Sequence, residues 1–263
     1  MEMQQVNYGR RRKQWIMLTK PGWNLPTLGA LFFLAVHLLV VGLVWNAGEE
    51  AAYAFYHQNG FSWSGVKSGN VHAVFTHIFL HGNGLHVVVN ALLFYDAASR
   101  LGHVLRPKKV ILLFMASALT ASIIHILAQV IFQGLPSEPL VGASGGVMGL
   151  YLAVTVLYPH SKMAIIKVSA RNVGKGFLIA SALLFIMTPG LKVPLFSQLG
   201  EWSKVLFGPA LFKMAHLYHF FGGLTGMILV ERMLPALVTL EELKAAREAR
   251  EGKLLASQAQ EPS

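Results

Sequence analysis

The chain has 263 residues, 54% of them hydrophobic and only 13% charged. Soluble domains average about 25% charged residues, so this composition argues against a water-soluble enzyme and for a protein embedded in lipid. The net charge of +10 raises nucleic acid as a partner. However, no long basic tract is interleaved with aromatics, and no nucleic-acid partner is expected. Without a single cysteine, disulfide and thiolate chemistry are both excluded.

Residues 1–26 form a basic segment with Arg10, Arg11, Arg12, Lys13 and Lys20. It has no apolar run followed by a small-residue cleavage site, so no removable signal peptide is expected. Apolar runs then follow at 28–45, 85–104, 110–132, 143–158, 174–190 and 212–230. In lipid an isolated segment satisfies its backbone only as a helix. The expected fold is therefore all-α, a polytopic membrane bundle of six transmembrane helices spanning about residues 27–232. The second run carries Asp96 and Arg100 as an i,i+4 pair able to reach the interface. Residues 46–76 and 191–211 read as aromatic-rich outer loops, and 233–263 as a cytoplasmic tail that is helix-prone ("EELKAAREAREGKLL") and then polar.

Lysine and arginine set the orientation. Eighteen of the 22 lie before the first run, after the even-numbered runs or in the tail, counting Arg100 at the end of the second run and Lys175 at the start of the fifth. The other side has only Lys67, Lys192, Lys204 and Lys213. Both termini are thus expected in the cytoplasm.

The polar residues inside the runs carry the chemistry. The fourth run opens "VGASGGVMGLY", and from Ser144 to Tyr158 spans roughly 22 Å at the helical rise, against a hydrocarbon core of about 30 Å. Ser144 then sits below the surface at a helix start, where free backbone N–H groups favour developing negative charge. Counted back from the cytoplasmic ends of their runs, His219 lies roughly 18 Å deep and Asn90 roughly 24 Å deep, with His86 one turn from Asn90 on the same face. Gly145 and Gly149 in the fourth run match Gly222 and Gly226 in the sixth as close-packing faces. If these faces meet, Ser144 and His219 face each other. Asn90, His86 and the Ser144 amide would then donate to an oxyanion. No acid lies at this depth, which leaves a Ser–His dyad rather than a triad. His216, three residues before His219, lacks the glycine register below it. His37, His103 and His125 read as structural or interfacial. His77 and His81 precede the helix-breaking "GNG" at 82–84 and belong to the outer loop, fixing it by hydrogen bonds.

These residues resemble the rhomboid family of intramembrane serine proteases. "HIFLHGNGLHVVVN" has the family's His, His, His, Asn spacing in the second span. "GASG" at 142–145 is similar to its G-x-S-G nucleophile motif, and "HFFGGLTG" at 219–226 to its H-x-x-G-x-x-x-G motif. The resemblance implies cleavage of single-span membrane proteins in or near their transmembrane segment. Ser144 would be the nucleophile, His219 the base, and His86 and Asn90 the oxyanion donors. Two departures stand out. His72-Ala73 replace the Trp-Arg that often anchors the first outer loop, and Met148 replaces the aromatic that commonly stacks on the histidine.

Substrate entry is expected at the fifth run, which is short and stops at Pro189-Gly190. Phe185, Trp202 and Met148 are its candidate residues, with Phe196, Leu199, Trp202 and Phe207 as an apolar plug over Ser144. The expected partners are transmembrane protein substrates and the lipid bilayer, with the oligomeric state open. No cofactor and no metal are expected, because the histidines lack an accompanying acid or an H-E-x-x-H motif. A non-catalytic rhomboid-like protein that binds or escorts client helices is the alternative, although such a protein would be expected to lack Ser144 or His219. The compact core without a transit segment suggests a bacterial inner membrane.

Overall fold

The computed structural model describes residues 3–8, 12–17, 25–45, 47–132, 138–161, 168–208, 212 and 215–234. The expected tail at 233–263 lies almost wholly outside them. The described chain is mostly helical. One departure from the all-α expectation comes first: β1 (Met3–Tyr8) and β2 (Arg12–Met17) pair as an antiparallel hairpin with Met3 opposite Met17. The β-prone residues Val6, Tyr8, Trp15 and Ile16 favour strands there, and the basic residues had masked that tendency.

A helix covers most of every expected apolar run. They are α1 (Leu25–Trp45), α5 (Gly84–Gly102), α6 (Pro107–Ile131), α7 (Ser144–Leu157), α8 (Ala170–Ile186) and α10 (His216–Met233). By length and apolarity alone, α1 and α6 are able to cross a membrane. A third span arises if the 73–79 segment and α5, bent by 89° relative to each other, are taken together. α7 is apolar but shorter. Exposed leucines on α1 (Leu28, Leu31, Leu38, Leu39, Leu43) form the kind of apolar surface that lipid covers.

The connection between α1 and α5 is itself helical: α2 (Gly48–Asn59), α3 (Trp63–Lys67), α4 (Ala73–Thr76) and a 3-10 turn at His77–Phe79. The bend before α5 follows from the "GNG" sequence. Asn83 caps α5, its side chain accepting from the His86 amide at 2.9 Å. Between α8 and α10 a 3-10 turn at Pro189–Leu191 leads to α9 (Phe196–Phe207).

α7 is the centre of the bundle. It packs most extensively on α10 and α6, and also on α5 and α8. Ala97, Leu101, Leu113, Val147, Leu150 and Ala153 form the main core between these helices. A second cluster of Phe61, Ala121, Ile126, Leu140 and Tyr218 seals the end at which Ser144 lies.

Candidate active site

The α7–α10 contact is made backbone to backbone. A Cβ added at Gly222 would collide with the Gly145 carbonyl oxygen and lie 2.8 Å from its Cα. One added at Gly226 would collide likewise with Gly149. Glycine at Gly222 and Gly226 therefore allows an approach to the α7 backbone that no larger residue permits, while Gly145 and Gly149 make room for the Tyr218 ring and for Ser117 of α6. Gly222 is one turn from His219, and Gly145 is next to Ser144. The close approach thus brings these two side chains together, with Ser144 Oγ 2.8 Å from His219 Nε2.

Ser144 is the first residue of α7, so its amide belongs to the helix-end donors that have no intrahelical acceptor. The turn before it is clamped from two sides. The Gly142 amide donates to the His77 carbonyl at 2.8 Å, and the Gly142 carbonyl accepts from the Tyr218 hydroxyl at 3.1 Å. Gly142 has φ +126°, a conformation open to glycine alone at low cost. Two residues upstream, Leu140 exchanges both backbone hydrogen bonds with Phe61, at 2.8 and 2.9 Å.

His86 stands against this turn. A Cβ built on Gly142 would lie 2.9 Å from His86 Nε2 and 3.8 Å from Ser144 Oγ. The His86 ring meets His81 edge-on at 5.1 Å, and His81 in turn lies 5.8 Å from Phe33 of α1. Asn90 is buried one turn below, and its Nδ2 donates to the His86 carbonyl at 3.0 Å. An amide nitrogen carries two hydrogens, so this bond orients the group and leaves the second donor.

The α1–α5 connection is anchored without the Trp-Arg pair. Tyr56 donates its hydroxyl to the His81 carbonyl at 2.9 Å, and Thr76 Oγ1 donates to the Asn59 carbonyl at 2.7 Å. His77 Nδ1 donates to the carbonyl of Ala73, which is fully buried. His77 also stacks on Phe61 at 5.5 Å.

Other expected positions lie elsewhere. Met148 is half-buried and packs on the main core. The aromatic neighbour of His219 is Tyr218, with ring centroids 6.2 Å apart. The Tyr218 ring is buried flat over Gly145, where an added Cβ would strike it. Sequence reasoning passed over Tyr218. Its signal is a tyrosine inside an apolar run, whose hydroxyl must find a partner. His216 is buried 6.2 Å from the Phe212 ring. Phe185 joins α8 to the end of α6 through an edge contact with Phe132 at 6.2 Å.

Trp202, Leu199 and Phe207 of the expected plug lie on α9. α9 packs on the Pro189–Leu191 turn and on α8, and these three side chains are exposed. The helical turn that seats Gly200 on α8 rotates its large apolar residues outward.

Among the described residues, the ionisable groups that act on His219 are His216, His86 and His125, none of them an acid. No three of His, Cys, Asp and Glu among the described residues stand together as metal ligands.

The Rhomboid domain family model matches residues 68–235, which contain all of these groups except the Asn59–Phe61 and Tyr56 anchors and Phe33. No curated protein matches the chain. With the match covering most of its length, the chain belongs to the rhomboid family, a family of membrane proteins.

Proposed function

We propose that the protein is an intramembrane serine endopeptidase that cleaves single-span membrane proteins in or near their transmembrane segment. The observation that carries this reading is the 2.8 Å contact between Ser144 Oγ and His219 Nε2 at the first residue of α7. His219 takes the hydroxyl proton as Ser144 Oγ attacks the scissile carbonyl carbon. The tetrahedral oxyanion is met by the Ser144 amide, the His86 imidazole and the second N–H of Asn90. His219 then protonates the leaving amine as the C–N bond breaks, which leaves an acyl ester on Ser144. Water attacks this ester with His219 again as base, freeing the carboxylic acid and restoring the serine. The cycle needs neither metal nor cofactor.

The same reading makes α1, α5, α6, α7, α8 and α10 six transmembrane helices, with 27–232 as the membrane core. The basic segment 1–26 and the tail 233–263 are then cytoplasmic. Eighteen of 22 lysines and arginines on one side of such a bundle support this orientation. α7, at roughly 21 Å, ends short of the surface and keeps Ser144 below it. A bacterial inner membrane is the proposed location.

The test is incubation of purified protein with a panel of single-span substrates, beside Ser144→Ala and a serine-directed inhibitor. Cleavage lost in both controls supports the reading. Substrate capture without cleavage by the unmodified chain would instead make it a non-catalytic binder of client helices.

A further inference from the structure

α9 is too short, at roughly 18 Å, to cross a hydrocarbon core of about 30 Å, and it is not folded into the protein either. Leu199, Trp202 and Leu206 are 45%, 74% and 75% exposed. At 3.6 residues per turn they fall within about 60° of one another. Leu195 at the helix entrance lies in the same arc and is also exposed, Val205 flanks it, and Gln198 sits at its margin. The opposite side carries Ser197, Glu201 and Lys204, with Lys204 Nζ 3.1 Å from Glu201 Oε1. A third face is fixed to the protein. A Cβ at Gly200 would strike the Met187 carbonyl oxygen, so α9 lies directly on the end of α8. The entrance is held in an unfavourable conformation, with φ +65° at Leu195.

We propose that α9 is an interfacial helix lying in the headgroup layer of the bilayer. Its Leu199–Trp202–Leu206 face is in the acyl boundary, and its Glu201–Lys204 face is in water. Lipid is the occupant because α8, on whose end α9 rests, already shows apolar side chains outward, Ile179 and Leu183. Tryptophan also favours the headgroup layer. A surface helix with its apolar face on one side and its ion pair on the other matches the polarity step of that layer. The end of α8 is thereby tied to the depth of the membrane surface through Gly200 and Met187. This inference rests on membrane embedding alone and is independent of the proposed proteolysis.

The chain has no cysteine, so single cysteines at Leu199, Leu206 and Glu201 can be spin-labelled cleanly in the full chain, reconstituted in phosphatidylcholine–phosphatidylglycerol vesicles. Labels at Leu199 and Leu206 should be accessible to oxygen and shielded from a water-soluble nickel chelate, and Glu201 should show the reverse, with a several-fold difference in the accessibility ratio. In the unmodified protein, lipids carrying a photoactivatable group in the acyl chain should label α9, which covers the case in which a variant fails to fold. Equal nickel accessibility at all three positions, shielding of Leu199 and Leu206 from both reagents as in a protein contact, or no lipid adduct on α9 would each overturn the proposal.

Discussion

Replacing Gly222 by alanine tests the geometric core of the proposed function, because it perturbs only the distance between two helices. The new Cβ would lie 2.8 Å from Gly145 Cα and closer still to the Gly145 carbonyl. Carbon atoms rest at about 3.5–4.0 Å, so α7 and α10 must part locally by about 1 Å. Ser144 Oγ and His219 Nε2, now 2.8 Å apart, would then approach or pass the limit of a hydrogen bond at about 3.5 Å. A misplacement of about 1 Å in a catalytic pair costs about 10²-fold in rate. The overpacking itself should cost about 1–3 kcal/mol. The assay is turnover of a single-span substrate, with thermal unfolding measured on the same preparations. Gly176→Ala is the control, since a Cβ there meets nothing within 4 Å, and it should leave both readouts unchanged. Wild-type turnover in folded Gly222→Ala would refute the argument that close packing sets the dyad.

Four further outcomes are expected. Ser144→Ala and His219→Ala should each abolish cleavage in a folded protein, whereas His216→Ala should retain most of it; the reverse pattern for the two histidines in the same assay would break the dyad assignment. Asn90→Ala and His86→Ala should each lower kcat by about 10²–10³ with little change in KM, as steady-state kinetics on both variants will read. Tyr218→Phe removes the donor to the buried Gly142 carbonyl and should cost about 1–3 kcal/mol of stability, visible as a lower Tm. Disulfide cross-linking of engineered cysteines between α5 and α8 should block cleavage of a membrane substrate and be reversed by reductant; full activity in the cross-linked form would place substrate entry elsewhere.

The sequence was most legible where one physical requirement has few solutions. A long apolar run in lipid must be helical, and every such run coincides with a helix, though with shifted ends. α8 begins at Ala170 rather than 174 because its first turn, "ARNV", is polar and helical at once. α5 begins at Gly84, where the Asn83 cap is visible in the sequence. The glycine spacing was legible for the same reason, since a helix can approach another's backbone this closely only where it lacks a Cβ, as α10 does at Gly222 and Gly226. The loops were not. Aromatic content marks a loop as interfacial without saying that it folds into α2, α3 and α4, and α9, though its apolar residues recur at helical spacing, is too short to stand out as a span. Tyr218 was missed because a single phenol in an apolar helix looks like filler until its partner, the Gly142 carbonyl, is known.

Tyr218 also bears on how His219, the proposed base, is held. In a triad a carboxylate orients the imidazole, but the described ionisable neighbours of His219 are histidines. Packing contributes to that orientation. Gly145 admits the Tyr218 ring on one side of the α7–α10 seam and the Gly222 backbone on the other. The same tyrosine fixes the turn that carries Ser144 through Gly142. One residue of α10 thus positions the serine's turn while its immediate neighbour is His219, the proposed base, so the relative placement of the two groups is set within a single helical step. The aromatic ring beside His219 is thus that of Tyr218, while Met148 packs on the core.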